Sequence, residues 1–196
     1  EVTYTDSINC YGDSTGTIIF KASGGTGTLS YELLPGNIPS ISADSGYFTN
    51  LASGTYTLVA NDGHGCFADT KITISQPAQI VFDNVTITDN INCYGDSTGR
   101  IVAQVSGGKA PYVYMLEPLN IVNDSGIFAN LVAGDYFIKV TDANNCDTVI
   151  SDTISLIQPI KLTIDTVLID SIPCNGNLAG IQVVSSGGTP TYRVSI

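Results

Sequence analysis

The chain has 196 residues, 43% of them hydrophobic and 13% charged, and 18 acidic against 7 basic side chains leave a formal charge of −11. That charge repels a nucleic-acid backbone and an anionic membrane surface, so neither is an expected partner. No run reaches the ~20 apolar residues that a bilayer crossing needs; the strongest, residues 160–172, is interrupted by Lys161, Asp165 and Asp170, so no membrane insertion is expected.

Abundant Gly, Ser, Thr, Val and Ile favour short strands and turns over helices. In chain order, the motif CYGDSTG at 10–16 comes first, followed by a strand that places Ile18, Phe20 and Ala22 on one face. Such alternation marks a strand with one buried side. The double glycine Gly24-Gly25 closes that strand, and the stretch DSGYFTNLASGTYTLVANDGHGC at 44–66 carries the next strands, with Tyr56, Leu58 and Ala60 alternating. Ile72 and Ile74 belong to the last strand, which runs into Gln76-Pro77. Tyr56 admits two readings, an ordinary core tyrosine or a tyrosine corner whose hydroxyl bonds back to upstream backbone.

The same order then recurs. CYGDSTG returns at 93–99, an offset of 93 − 10 = 83, and CNGNLAG at 174–180 is a looser copy, 174 − 93 = 81 further on. The strand after the second copy presents Ile101, Ala103 and Val105, and the third presents Ile181 and Val183; double glycines follow at Gly107-Gly108 and Gly187-Gly188. Tyr136, Ile138 and Val140 repeat the later strand, Ile154 and Leu156 repeat the last one, and Gln158-Pro159 repeats the closing dipeptide. Solenoid units of 20–50 residues cannot fold alone, whereas a period near 80 implies beads with separate cores. The predicted organisation is all-β, with repeats at 1–77 and 78–159 and the N-terminal part of a third at 160–196. Each repeat is expected to form an immunoglobulin-like sandwich of six or seven strands. The slackless Gln-Pro junctions predict a stiff rod in which neighbouring repeats are each other's partners. A start at Glu1 and an end in mid-pattern read as a piece of something longer.

The cysteines are Cys10, Cys66, Cys93, Cys146 and Cys174, two per complete repeat and one in the third. This arithmetic predicts disulfides Cys10 to Cys66 and Cys93 to Cys146, with Cys174 pairing past residue 196. Each would add roughly 4 kcal/mol through loop closure and would place the chain in an oxidising compartment. The pairing requires both loops of a repeat to lie at one end of the sandwich, and a plain seven-strand count sets them at opposite ends. Zinc is disfavoured because no C-x-x-C occurs and the one histidine, His64, becomes Asn144 in the second copy. Asp13, Asp62, Asp96 and Asp142 recur beside the cysteines and are the candidates for a Ca²⁺ site built from loop oxygens. The competing reading gives them to Asx-turns, and no other cofactor is implied.

No catalytic set can be assembled. His64 is not repeated, the acids recur with the turns, and the glycine pairs lack the residues of a phosphate loop. Binding of carbohydrate or protein is the open rival, with Tyr11 and Tyr94 at matching positions and Tyr112, Tyr114 and Tyr192 near the double glycines.

The ordered series C-Y-G-D-S-T-G, G-G-x-x-P-Y-x-Y at 107–114, F-x-N-L-x-x-G-x-Y, D-x-x-x-C and Q-P resembles the SprB-type repeat of giant Bacteroidetes surface proteins. The first repeat departs from it with Thr28-Leu29 where the second has Pro111-Tyr112, and the third has NLAG at 177–180. The resemblance implies an extracellular cell-surface filament, exported by the type IX system and acting in gliding motility or attachment. Its expected partners are surface polysaccharide or another adhesion target, and, through other regions, the motility or secretion machinery. This segment would be the shaft of such an adhesin, with weak multivalent binding or an accessory stalk of a secreted enzyme as alternatives. The resemblance also implies O-glycosylation at Asp-[Ser/Thr] sites: Ser7, Ser14, Ser97, Thr148, Thr153, Thr166 and Ser171.

Overall fold

A computed structural model of the chain describes residues 2–6, 8–42, 44–146, 148–170 and 179–195, with backbone alone for residues 2–6. They divide into two compact units: Glu1–Val81 with the loops Ser106–Tyr112 and Thr141–Thr148, and Phe82–Val105 with Val113–Val140 and Val149–Ile196.

The first unit carries strands β1 (Val2–Asp6), β2 (Gly16–Phe20), β3 (Ser30–Leu34), β4 (Ile38–Pro39), β5 (Gly46–Leu51), β6 (Gly54–Asn61) and β7 (Phe67–Ile74). Two antiparallel sheets form, β1-β2-β5 and β4-β3-β6-β7, which is the two-layer, seven-strand arrangement of an immunoglobulin-like sandwich. Alternation decides which side chains enter: Ile18 and Phe20 from β2, Tyr31 and Leu33 from β3, and Leu58 and Ala60 from β6 meet Phe48, Leu51, Ile74 and Ile8 in one buried cluster. Ala22, Tyr56 and Ile72 pack partly buried against it.

A plain strand could not bury both Phe48 and Leu51, which lie three positions apart and would face opposite sides. A one-residue bulge resolves this, because β5 uses three steps between its pairings with Ile18 and Gly16 where β2 uses two. Asn50 sits in the bulge at φ +57°, and Asn130 repeats it at φ +57°. Asparagine tolerates this left-handed conformation better than most side chains, which accounts for the recurring F-x-N-L. Gly16 is needed for another reason: a Cβ there would lie 2.8 Å from the Leu51 carbonyl oxygen and 2.9 Å from Ile74 Cδ1.

The second unit repeats the plan with β8 (Val81–Asp89), β9 (Gly99–Ser106), β10 (Val113–Glu117), β11 (Ile121–Asn123), β12 (Ile127–Leu131), β13 (Gly134–Thr141), β14 (Val149–Ile150) and β15 (Ile154–Leu156). The sheets are β12-β9-β8 and β11-β10-β13-β14, with β15 also on β13. Ile101, Ala103, Tyr114, Leu116, Phe128, Leu131, Tyr136, Ile138, Val140 and Leu156 are buried. The strand that is continuous in β7 is split here because the stretch from cysteine to glutamine has grown from 76 − 66 = 10 to 158 − 146 = 12 residues. Ser151 stands at the break, where its Oγ accepts the Ile138 N–H and its own N–H donates to the Ile138 carbonyl.

The remaining strands, β16 (Thr163–Ile169) and β17 (Ile181–Ser186), form a two-stranded sheet. The expectation that Ile181 and Val183 are core positions is not met: Ile181 is 52% exposed and Val183 only half-buried. A two-stranded sheet among the described residues has no second layer to cover its apolar face.

Candidate functional site

The recurring residues converge on the loops at the two ends of each sandwich. At one end, the loop between β1 and β2 folds back on the chain leaving β7. Ile8 N–H donates to the Ser75 carbonyl at 3.2 Å, and Gly12 N–H donates to Oε1 of Gln76 at 2.9 Å. The second repeat makes the same tie, Gly95 N–H to Gln158 Oε1 at 2.7 Å. The glutamine of the Gln-Pro pair is therefore a side-chain acceptor for the glycine of C-Y-G. Sequence reading missed this role, although the joint recurrence of the two residues was a signal for it.

The other end holds the second cysteine. Asp62 closes that loop by accepting the N–H groups of His64 and Cys66 on Oδ1, both at 2.9 Å, and that of Thr26 on Oδ2 at 3.2 Å. Led by the Cys66 N–H, with those of His64 and Thr26 behind it, these bonds hold the Asp62 carboxyl below its ordinary 3.8. Asp142 does the same with Asn144 and Cys146 on Oδ1, both at 3.1 Å, and with Lys109 on Oδ2 at 3.0 Å. His64 serves this loop too, its Nδ1 lying 3.0 Å from Thr26 Oγ1.

The double glycine of the second repeat packs onto the segment that enters β8. Gly108 N–H donates to the Ala78 carbonyl at 2.7 Å, and a Cβ on Gly108 would lie 2.6 Å from Ile80 Cγ1 and 2.9 Å from Asp142 Oδ2. In the third copy Gly188 N–H donates to the Ile160 carbonyl at 2.6 Å. Tyr112 and Tyr192 each donate a hydroxyl hydrogen bond to the carbonyl of the first glycine, Gly107 at 2.6 Å and Gly187 at 2.5 Å. The tyrosine corner is present in both sandwiches: Tyr56 donates to the Ala52 carbonyl at 2.9 Å and Tyr136 to the Val132 carbonyl at 3.0 Å. Burial pushes the Tyr136 hydroxyl above its ordinary 10.0.

These ends correct the expected disulfides. Cys10 is bonded to Cys146, with Cα atoms 5.5 Å apart, while Cys66 and Cys93 carry free, exposed thiols. Neither Cys10 to Cys66 nor Cys93 to Cys146 is formed. The reason is strand length. Cys66 precedes the first residue of the eight-residue β7, whereas Ile8 and Gly12 are tied to Ser75 and Gln76 beyond its last. An eight-residue strand spans roughly 24 Å, and a disulfide needs Cα atoms within about 7 Å. The first cysteine of one repeat instead meets the second cysteine of the next, where Asn144 Nδ2 also donates to the Asn9 carbonyl at 2.7 Å. Cys174 lies outside the described residues.

The four aspartates proposed for calcium are not one constellation. Asp62 lies at the start of β7, and Asp13, whose N–H donates to the Cys10 carbonyl at 3.4 Å, lies at the opposite end of the same sandwich. The carboxylates of Asp62 and Asp142 already accept three backbone N–H groups each. Asp96 donates its N–H to the Cys93 carbonyl as Asp13 does to Cys10. Among the described residues no three His, Cys, Asp or Glu side chains are grouped to hold a metal ion. Of the glycosylation candidates, Ser14, Ser97, Thr148, Thr153 and Thr166 are exposed, and Ser7 and Ser171 lie outside the described residues. Tyr114 is buried, whereas Tyr11 and Tyr94 are 51% and 55% exposed.

Two-layer antiparallel sandwiches with recurring end-loop ties define a class of tandem immunoglobulin-like repeat proteins. Within that class the chain carries an SprB repeat, matched over residues 85–120. No curated protein matches the chain. Among solved structures, it is similar to a 282-residue C-terminal fragment of intimin, solved in complex with the intimin-binding domain of its translocated receptor. The identity is 16% and the TM-score 0.43, covering 84% of this chain and 67% of that one. It is similar also to three N-terminal domains of the bacteriophage RB49 outer capsid protein Hoc, at 14% identity and TM-score 0.49, covering 91% and 66%. A third likeness is to domains 4 and 5 of the S-layer protein SbsC, at 12% identity and TM-score 0.29, covering 80% and 99%. The chain thus spans about two thirds of the intimin and Hoc fragments.

Proposed function

We propose that this chain is a shaft segment of a large cell-surface adhesin filament, with successive repeats at 1–77, 78–159 and from 160 onward acting as rigidly joined spacers. The shaft extends an adhesive region from the cell and transmits traction in gliding or attachment, and it performs no catalysis. One observation carries the reading: the residues that recur are engaged in the chain's own ties. Gly12 and Gly95 bind Gln76 and Gln158, Asp62 and Asp142 close loops, and Cys10 is bonded across the repeats to Cys146. Recurrence of this kind supports folding and joining rather than a repeated ligand pocket. The disulfide supports an extracellular address, and the SprB repeat supports a place among Bacteroidetes filaments exported by the type IX system.

A second reading has one observation in its favour, the matching exposure of Tyr11 and Tyr94. There each repeat contributes a weak polysaccharide or protein contact and avidity supplies the strength. Binding of the 196-residue chain and of the native full-length protein to polysaccharide arrays and abiotic surfaces separates the two. Adhesion by the full-length protein alone is the expected result. Adhesion by this chain that is lost in the double variant Tyr11→Ala, Tyr94→Ala would replace the shaft reading with the binding one.

A further inference from the structure

We propose that Cys66 and Cys93 are open halves of two more staggered disulfides. Cys66 takes the first cysteine of a repeat placed before it, and Cys93 takes the second cysteine of the repeat that follows. The inference rests on the tandem repeat and the Cys10–Cys146 bond and is independent of what the array does.

Three observations carry it. First, the cysteine loops are built alike. Asp62 holds Cys66 as Asp142 holds Cys146, with carboxylate oxygens accepting the cysteine N–H at 2.9 and 3.1 Å. Asp13 and Asp96 donate their N–H groups to the carbonyls of Cys10 and Cys93 at 3.4 and 3.3 Å, and both loops are tied to a Gln-Pro glutamine. Cys66 therefore presents the loop that Cys146 presents, and Cys93 the loop of Cys10. Second, no partner within the same repeat can reach either thiol, because the cysteine loops of a repeat lie a full strand apart. Both thiols are exposed and free. Third, the next repeat already approaches Cys93. Thr189, which follows the third double glycine, donates its Oγ1 hydrogen to the carbonyl of Asn92 at 3.3 Å. Asn92 corresponds to Asn9 through the offset 92 − 9 = 83, and the Asn9 carbonyl accepts Asn144 of the second repeat.

Bond formation is thiol–disulfide exchange with an oxidised dithiol carrier or oxidised glutathione. The Cys66 thiolate attacks one sulfur of the carrier disulfide and expels the other as a thiolate, leaving a mixed disulfide. The partner cysteine's thiolate then attacks the Cys66 sulfur and expels the carrier's second thiolate. Two thiols lose two protons and two electrons, and the carrier disulfide takes up both as two thiols.

The test has two arms. In the 196-residue chain, refolded in a redox buffer with reduced glutathione in excess over oxidised so that partnerless cysteines return to thiols, then alkylated and digested without reduction, mass spectrometry is expected to find Cys10 linked to Cys146 and alkyl label on Cys66 and Cys93. In the variant Cys146→Ser, label is expected to appear on Cys10. A Cys10–Cys66 or Cys93–Cys146 link, or a Cys10 that stays unlabelled in the variant, overturns the proposal. The second arm keeps the full chain and places before Glu1 a copy of residues 78–159 joined through a copy of residues 78–83. In its monomeric fraction Cys66 is expected to lose its label and to be linked to a Cys93 peptide. A Cys66 that remains labelled, or any link within one repeat, overturns it.

Discussion

The loops closed by Asp62 and Asp142 have the same local construction and different surroundings. Each carboxylate accepts three backbone N–H groups from equivalent positions. Yet Asp142 is 3% exposed and its cysteine is bonded, whereas Asp62 is only half-buried and its cysteine is free. The difference comes from residues distant in sequence, since Asn9 and Cys10 lie against the Asp142 loop. A loop's internal geometry is encoded locally, and its burial by whatever packs on it.

The comparison can be broken first at the core that holds the loops apart. Phe48→Ala removes a fully buried ring and is expected to lower the stability of the first sandwich by about 3–5 kcal/mol in urea denaturation. It should release both cysteine loops together. Cys10→Ser should discriminate between the loops. Loss of a crosslink across 136 residues is expected to cost roughly 2–5 kcal/mol, while Cys66→Ser and Cys93→Ser stay within about 0.5 kcal/mol of the parent chain. Equal effects from all three would refute the observed pairing.

Asp142→Ala strands three N–H groups in a covered loop and is expected to cost about 1–3 kcal/mol by the same denaturation. Asp62→Ala, in its more open setting, should act locally, seen as faster hydrogen exchange at Cys66 and His64. Because the folded state lowers the Asp62 pKa, its contribution is present above the ordinary carboxyl value of 3.8 and is lost as pH falls through the lower folded value. Amide exchange in the 62–66 loop followed into acid should therefore accelerate only below that ordinary value. Tyr136→Phe removes the bond to Val132 and is expected to cost about 1 kcal/mol. Burial raises the Tyr136 pKa, so the stability it contributes is intact below 10.0 and declines as pH rises from there through the folded value. Tyr136→Phe should flatten that alkaline decline in thermal unfolding measured across the range.

Much of this was legible in the sequence, because strand periodicity and turn chemistry act over a few residues. Alternation at Ile18 and Phe20, at Leu58 and Ala60, and at Ile138 and Val140 identified buried faces, and all six side chains are buried. The recurring G-x-Y contained the tyrosine corner as one of two readings. Alternation failed for Ile181, since a strand's pattern shows which face is apolar but not whether another layer covers it. The F-x-N-L bulge escaped it as well, because three-residue spacing does not fit a period of two. Cysteine counting supplied an even number per complete repeat and, from it, the pairings Cys10 to Cys66 and Cys93 to Cys146, which are not the partners in the structure. Only the tertiary structure decided the partners, by placing the two cysteine loops of one sandwich at opposite ends of β7 and the Cys146 loop beside Cys10. Pairing is a matter of distances between segments far apart in the chain, and no local pattern contains them.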